Sequence, residues 1–185
     1  MGNEYSVPGL FAHANLELMP ATKSLVSVEE YLRTNFDGPD REFVYGETVE
    51  RNVGEKPHSK AQTRLAAIFE ELRKSRPLYA FTELRLRLGP VIFRIPDLAV
   101  FAGQEPAENV PSVAPLVAVE IVSREDCYTE ILGKLEEYRA WGVAHVWLVD
   151  PWMSRLYVYG AAGLSGVPAF RLPEFGVEIE LSRLF

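Results

Sequence analysis

The chain has 185 residues, a single cysteine and a formal net charge of −7. That length supports one well-cored domain and is short for two. The lone Cys127 excludes an intrachain disulfide and a multi-cysteine zinc site, and the acidic balance argues against a broad nucleic-acid-binding surface, though a local basic groove remains compatible with it.

No stretch approaches the roughly 20 apolar residues of a membrane span. The N-terminus lacks the charged-then-apolar pattern of a signal peptide. With one free cysteine, the expected location is the reducing cytoplasm. Residues 1–24 carry Pro8, Gly9 and Pro20 and no sustained periodicity. They read as an N-terminal extension ahead of a domain over 25–185.

In chain order, Ser27 followed by Glu30 is a capping box that starts a short helix through about Thr34. Residues 42–50 read as strand, turn and strand around Gly46, with Glu47 just past the glycine. Pro57 opens a longer helix to about Lys74, with Leu65, Ile68, Phe69 and Leu72 on one stripe. His58 lies about 20° from Leu65 on that wheel, so it points toward the core or sheet. A packed or capping histidine and a site histidine both fit that position.

Residues 78–88 read as one strand with its leucines on one face and Glu83, Arg85 and Arg87 on the other. The arginine face is either a solvated face or a phosphate-contacting one. Gly89 and Pro90 turn the chain into a second strand, 92–101, antiparallel to the first. After a polar loop come an apolar strand over 116–122, a helix from about Cys127 to Trp141 capped by Gly142, and a buried strand over 145–150. A helix between two apolar strands implies a crossover joining parallel strands. Another strand is expected at 155–159, and one or two more between Phe170 and Leu181. The sum is a mixed α/β (α+β) sheet flanked by helices.

Two of these strands each carry one carboxylate in an otherwise apolar run, Asp97 in the first and Glu120 in the second. Burying an isolated carboxylate costs several kcal/mol unless it is paired or bound to metal, so two in succession suggest acids meeting in one place. By alternation Asp97 shares a face with Ile95 and Ala99, and Glu120 with Ala118 and Val122. Lys134 lies about 60° from Ile131, at the edge of its helix's buried stripe. It can either reach those acids or snorkel along the surface and pair with Glu130. Two carboxylates with water suit Mg²⁺, a hard ion that keeps several waters, and metal-assisted phosphodiester hydrolysis is the matching chemistry. No Gly-x-Ser-x-Gly elbow and no phosphate-cradling glycine loop is present. The aromatics Trp141, Trp147, Tyr157 and Tyr159 read as packing residues.

Ile95, Pro96 and Asp97 followed by Glu120 in an apolar strand resemble the PD-(D/E)XK nuclease signature, with Val122 standing where the lysine usually is. The run from Val119 to Ser123, then Lys134 to Val143, then Val146 to Pro151 resembles the Uma2 (Uma-two) family of restriction-endonuclease-like proteins. There the lysine has moved to the helix after the glutamate strand, where Lys134 stands. Gly46 with Glu47, and His58 at a helix start, match further family features. The resemblance runs from about Val26 to the C-terminus. It implies a restriction-endonuclease-like fold and an Mg²⁺-dependent endonuclease acting on DNA, with Mn²⁺ able to substitute. It also implies Asp97 and Glu120 as metal ligands, Lys134 as the catalytic lysine, Glu47 as an auxiliary acid and His58 lining the site. Arg85 and Arg87 stand as candidate phosphate contacts. A homodimer would suit cutting of two strands. The competing readings are a non-catalytic nucleic-acid-binding or protein-interaction module of the same fold, and a hydrolase of small phosphoesters.

Overall fold

In the computed structural model, residues 25–38, 40–52 and 54–185 are described; the expected extension over 1–24 lies outside them. Helix α1 (Val28–Arg33) begins as its capping box predicts, with the Ser27 hydroxyl accepting from the Glu30 N–H at 3.1 Å. Strands β1 (Arg41–Val44) and β2 (Glu47–Glu50) form a hairpin. Both turn residues, Tyr45 (φ 51°) and Gly46 (φ 89°), take the left-handed conformation that a tight two-residue hairpin requires. Helix α2 (Lys56–Arg73) follows and buries His58, Ala61, Leu65, Ile68 and Phe69.

The two long strands expected over 78–88 and 92–101 are each broken in the middle. The first is β3 (Leu78–Thr82) and β4 (Leu86–Gly89); the second is β5 (Ile92–Arg94) and β6 (Leu98–Ala102). The antiparallel pairing survives on both sides of the breaks, Thr82 opposite Leu98 and Leu86 opposite Arg94. What changes is the sheet. Glu83 turns with φ 52°, and Pro96, lacking an N–H, cannot continue a ladder. The ribbon therefore leaves one sheet and enters another. Asp97 stands in the gap just ahead of β6, not inside a strand.

Beyond the loop come β7 (Val117–Ile121), α3 (Tyr128–Trp141) and β8 (His145–Asp150), with β7 and β8 parallel as the crossover predicts. Gly142 closes α3 at φ 108°. Strands β9 (Arg155–Gly160), β10 (Gly163–Val167), β11 (Ala169–Leu172) and β12 (Val177–Glu180) complete the chain. The short, glycine-containing β10 is an addition to the predicted elements. The large sheet has the order β10-β9-β8-β7-β6-β3 and the small one β2-β1-β5-β4; β11 and β12 pair with each other.

Alternation along β7 sorts the interior into two layers. Val117, Val119 and Ile121 join Leu65, Ile68, Phe69, Trp147 and Val149 in the main core. Ala118 faces the other way, against Ile131, Leu135 and Tyr138 of α3 together with Val146 and Leu148. Glu120 shares the Ala118 face, so strand periodicity alone aims its carboxylate at α3. The C-terminal hairpin is tied to the main core by Phe170, whose ring stacks on buried Trp147 with centroids 4.2 Å apart and planes 1° from parallel. Phe170→Ala is expected to lower stability by about 3–5 kcal/mol in urea unfolding. It should also red-shift the tryptophan emission as Trp147 loses its cover.

Candidate active site

Asp97, Glu120 and Lys134 converge on one narrow cleft between the end of β7, the gap before β6, α3 and the β1–β2 hairpin, which Glu42, Arg51 and His58 also line. Asp97 is 3% exposed. Its Oδ2 accepts the Ile121 N–H at 2.6 Å, and its Oδ1 accepts from Arg51 Nη2 at 2.8 Å. The Ile121 amide lies on β7 beyond its last pairing with β6, Val119 opposite Leu98, so the Asp97 side chain accepts from a donor that the ladder does not reach. His58 Nε2 is 3.3 Å from the same Oδ2. Gly54 makes room for that ring: a Cβ there would lie 2.5 Å from His58 Nδ1.

Glu120 receives the buried Tyr138 hydroxyl on Oε1 at 2.7 Å, and its Oε2 is 3.8 Å from Lys134 Nζ. Lys134 reaches inward: its ammonium meets Glu42 Oε1 at 3.2 Å and Glu120, in place of the surface pairing with Glu130. Glu42 is 1% exposed. It accepts the Ile95 N–H at 3.1 Å and Arg94 Nη1 at 2.7 Å. Arg94 in turn grips Glu137 of α3 through Nε (2.7 Å) and Nη2 (2.9 Å). The small sheet is thereby clamped to the helix that carries Lys134.

Glu42, Arg51 and Tyr138 are site residues that sequence reasoning missed. Tyr138 stands four residues after Lys134, on the same side of α3, and that spacing was a usable signal. Glu42 and Glu47 share one face of the β1–β2 hairpin, since Glu42 opposes Val49 and Val44 opposes Glu47. Glu42 is the one under Lys134, whereas Glu47 lines an adjoining hollow with Tyr45, Val49 and Lys134. Arg85 and Arg87 are not brought to the cleft. Arg87 opposes Phe93 while Leu86 opposes Arg94, so the two arginines lie on the face of the small sheet turned away from Glu42. There Arg85 stacks 4.7 Å over Tyr31 and lies 3.6 Å from Asp40, and Arg87 stacks 5.7 Å over Phe93.

Burial pushes the Glu120 carboxyl up to about 7; Asp97 and Glu42 add to the rise, and Lys134 and the Tyr138 hydroxyl oppose it. Burial alone would pull Lys134 down, but Glu120 and Glu42 outweigh it and hold the ammonium above its usual range. His58 behaves alike: burial lowers it, and Asp97 more than restores it. The ionised form of Glu120 is thus costly chiefly because it is buried. A divalent cation would offset that cost and fits the all-oxygen donor set of Asp97 and Glu120. Among the described residues no three His, Cys, Asp or Glu side chains form a ready-made cage, so such an ion would keep several waters.

The raised Glu120 has a consequence for stability. Between its unfolded value of 4.5 and about 7, the folded protein retains a proton the unfolded chain has released. Its contribution therefore falls as pH rises through that window and is fully lost above it. In chelator, Glu120→Gln should gain about 2–3 kcal/mol on the wild type between pH 5 and pH 8 by urea unfolding. A constant gap across that range would refute the buried, proton-retaining carboxyl.

The family model described as "Putative restriction endonuclease", Uma2, matches residues 28–184. A crystal structure of a protein from Anabaena variabilis ATCC 29413, described as a putative nuclease, superposes with a TM-score of 0.75. The two share 22% sequence identity over 86% of this chain and 97% of that one, a likeness that establishes the fold. No protein of curated function matches the chain. Among the described residues no helix is long and apolar enough to cross a membrane. With a match spanning nearly all of the described residues, the chain belongs to the Uma2 family of restriction-endonuclease-like proteins, and its activity class is that of a nuclease.

Proposed function

We propose that the cleft is the reaction centre of an endonuclease that hydrolyses DNA phosphodiester bonds with Mg²⁺, Mn²⁺ substituting. The observation that carries this reading is the convergence of Asp97, Glu120 and Lys134 from three separate elements onto one buried cleft. Asp97 and Glu120 would hold the metal. When bound, it supplies Lewis acidity and neutralises phosphate charge.

The chain's own residues divide the remaining work. The Lys134 ammonium, held by Glu42, is a fixed positive charge for the oxyanion that develops on phosphorus. Glu120, as a ligand, would be kept ionised by the cation, and Lys134 beside it can hold and polarise the attacking water. Tyr138 orients Glu120 through Oε1 and leaves Oε2 toward Lys134. His58 and the Ile121 amide fix Asp97. Arg85 and Arg87, on the far face of the small sheet, take no part in the reacting centre in this assignment, and Glu47, in the hollow it lines with Lys134, stands as the auxiliary acid. Two copies about a twofold axis would deliver two such centres to the two strands of a duplex.

The test is cleavage of supercoiled plasmid and of an RNA of similar length, with Mg²⁺ or Mn²⁺, alongside calorimetric metal titration. Asp97→Ala is expected to lose metal binding and to cut at least ~100-fold more slowly. Lys134→Ala should lose a similar ~100-fold in rate while still binding metal, because it removes charge stabilisation and not a ligand. Full metal-dependent cleavage by Asp97→Ala would sink the assignment. Absence of Asp97-dependent metal binding would favour a non-catalytic module, and cleavage of RNA alone would move the substrate.

A further inference from the structure

Asp97 already has a cation attached. Arg51, the residue after β2, sets Nη2 2.8 Å from Asp97 Oδ1, with its side chain only 14% exposed. The other oxygen is held by the Ile121 amide at 2.6 Å, and β7 fixes that amide where it pairs with β8. His58 Nε2 also lies 3.3 Å from that oxygen, but its ring is buried on α2 and closed in behind by Gly54, so the side chain with room to swing away is the arginine.

The remaining cations of the cleft are tied down differently. Arg94 is gripped by both Glu42 and Glu137, and Lys134 lies between Glu42 and Glu120. Arg51 has one further contact, Glu83 at 3.7 Å. Glu83 is about half exposed, so that pair holds it weakly. Arg51 also has a place to go. It lines the acid cleft and, on its other side, an outer hollow bounded by Glu50, Glu55 and Glu125. Among the described residues Glu55 is engaged there only by Arg124 at 4.0 Å, so the hollow offers carboxylate to an arriving guanidinium.

We propose that Arg51 is a built-in counter-ion which a divalent cation must displace from Asp97, so that Arg51 sets the metal concentration at which the site loads. The inference rests on the reading of Asp97 as a metal ligand. Because a guanidinium keeps its charge at all working pH, the device answers to the metal and not to protons. It keeps Asp97 compensated in the metal-free protein and out of reach of weakly held ions.

Two measurements on the full chain test it. In calorimetric titration with Mn²⁺ alone, Arg51→Gln should bind at least tenfold tighter than wild type, and Arg51→Lys should fall between them. In ¹⁵N NMR of the wild type, the Arg51 side-chain N–H signal is assigned by its absence from Arg51→Lys. It should be protected from exchange without metal and lose that protection as Mg²⁺ saturates the site. Removing a positive charge tightens cation binding by itself, so the NMR measurement on unmutated protein is the decisive one. A signal that stays protected at saturating Mg²⁺, or an Arg51→Gln affinity no better than wild type, overturns the displacement while Asp97-dependent binding still supports the metal site. If no variant binds metal through Asp97, the metal-site reading falls and the inference falls with it.

Discussion

Pro96 has no backbone N–H to give, and much of the molecule follows from that. A continuous strand over 92–101 would put every residue into one sheet. The proline ends the ladder, so β5 pairs in the small sheet and β6 in the large one. The next residue, Asp97, then meets a β7 amide that β6 does not reach and binds it through the side chain at 2.6 Å. The break at Pro96 thus lies between two sheets, and the Ile121 amide beyond the end of the β6–β7 ladder fixes a buried carboxylate at their junction. Glu83 makes the matching bend on the neighbouring strand with a positive φ, so the paired ribbon turns as a unit and keeps its register on both sides.

The junction is held by charge more than by apolar contact. Glu42 is almost fully buried and makes three polar contacts, to the Ile95 amide, Arg94 and Lys134. Arg94 extends the chain of contacts to Glu137 on α3. Burying so many charges costs several kcal/mol per ion, and a well-packed apolar replacement often holds a fold as well or better. Stability is therefore a poor explanation for the network. It does hold Lys134 at a defined place relative to Glu120, which a flexible four-carbon stem on a helix edge would not achieve unaided. The aromatic layer of Tyr31, Phe43 and Phe93 behind it supplies the apolar packing of the small sheet.

What was legible in the sequence was what local periodicity encodes. The period of two in β7 puts Glu120 on one face with Ala118 and Val122, and the helical wheel puts Lys134 at the edge of the α3 stripe; both hold. The capping box, the glycine turn, the crossover and the Gly142 cap were equally local. Asp97 was recognised as an anomalous buried acid, but for an incomplete reason. It was read as an intruder in a strand, whereas the proline before it removes it from the strand altogether. Pro96 was present in the same run and is the signal that strand alternation overrode. Residues whose role depends on one sheet meeting another were not legible. Glu42 and Glu47 look alike in a short acidic hairpin, and only the packing of α3 over β1 distinguishes the one beneath Lys134. Arg51 lies far from Asp97 along the chain, with nothing periodic about its position. Arg85 and Arg87 were correctly assigned to one face, but periodicity cannot say which face looks into the cleft.

The origin of the site's parts bears on how it can work. Asp97 and Glu120 belong to the large sheet and its margin, and Lys134 and Tyr138 to the helix packed on that sheet. Glu42 and Arg51 come from the small sheet's hairpin. The groups that would hold a cation are thus anchored to the main core, where Val119, Ile121 and Trp147 fix the strands. The groups that adjust their charge come from the other layer. A shift of the hairpin relative to the large sheet would leave the separation of Asp97 and Glu120 nearly unchanged. It would alter the distance of Glu42 from Lys134 and of Arg51 from Asp97, each a single contact near 3 Å. Electrostatic energy between charges varies inversely with distance and is least screened where water is excluded. The small sheet therefore sets the charge around the cleft, while the main core sets where the two carboxylates stand.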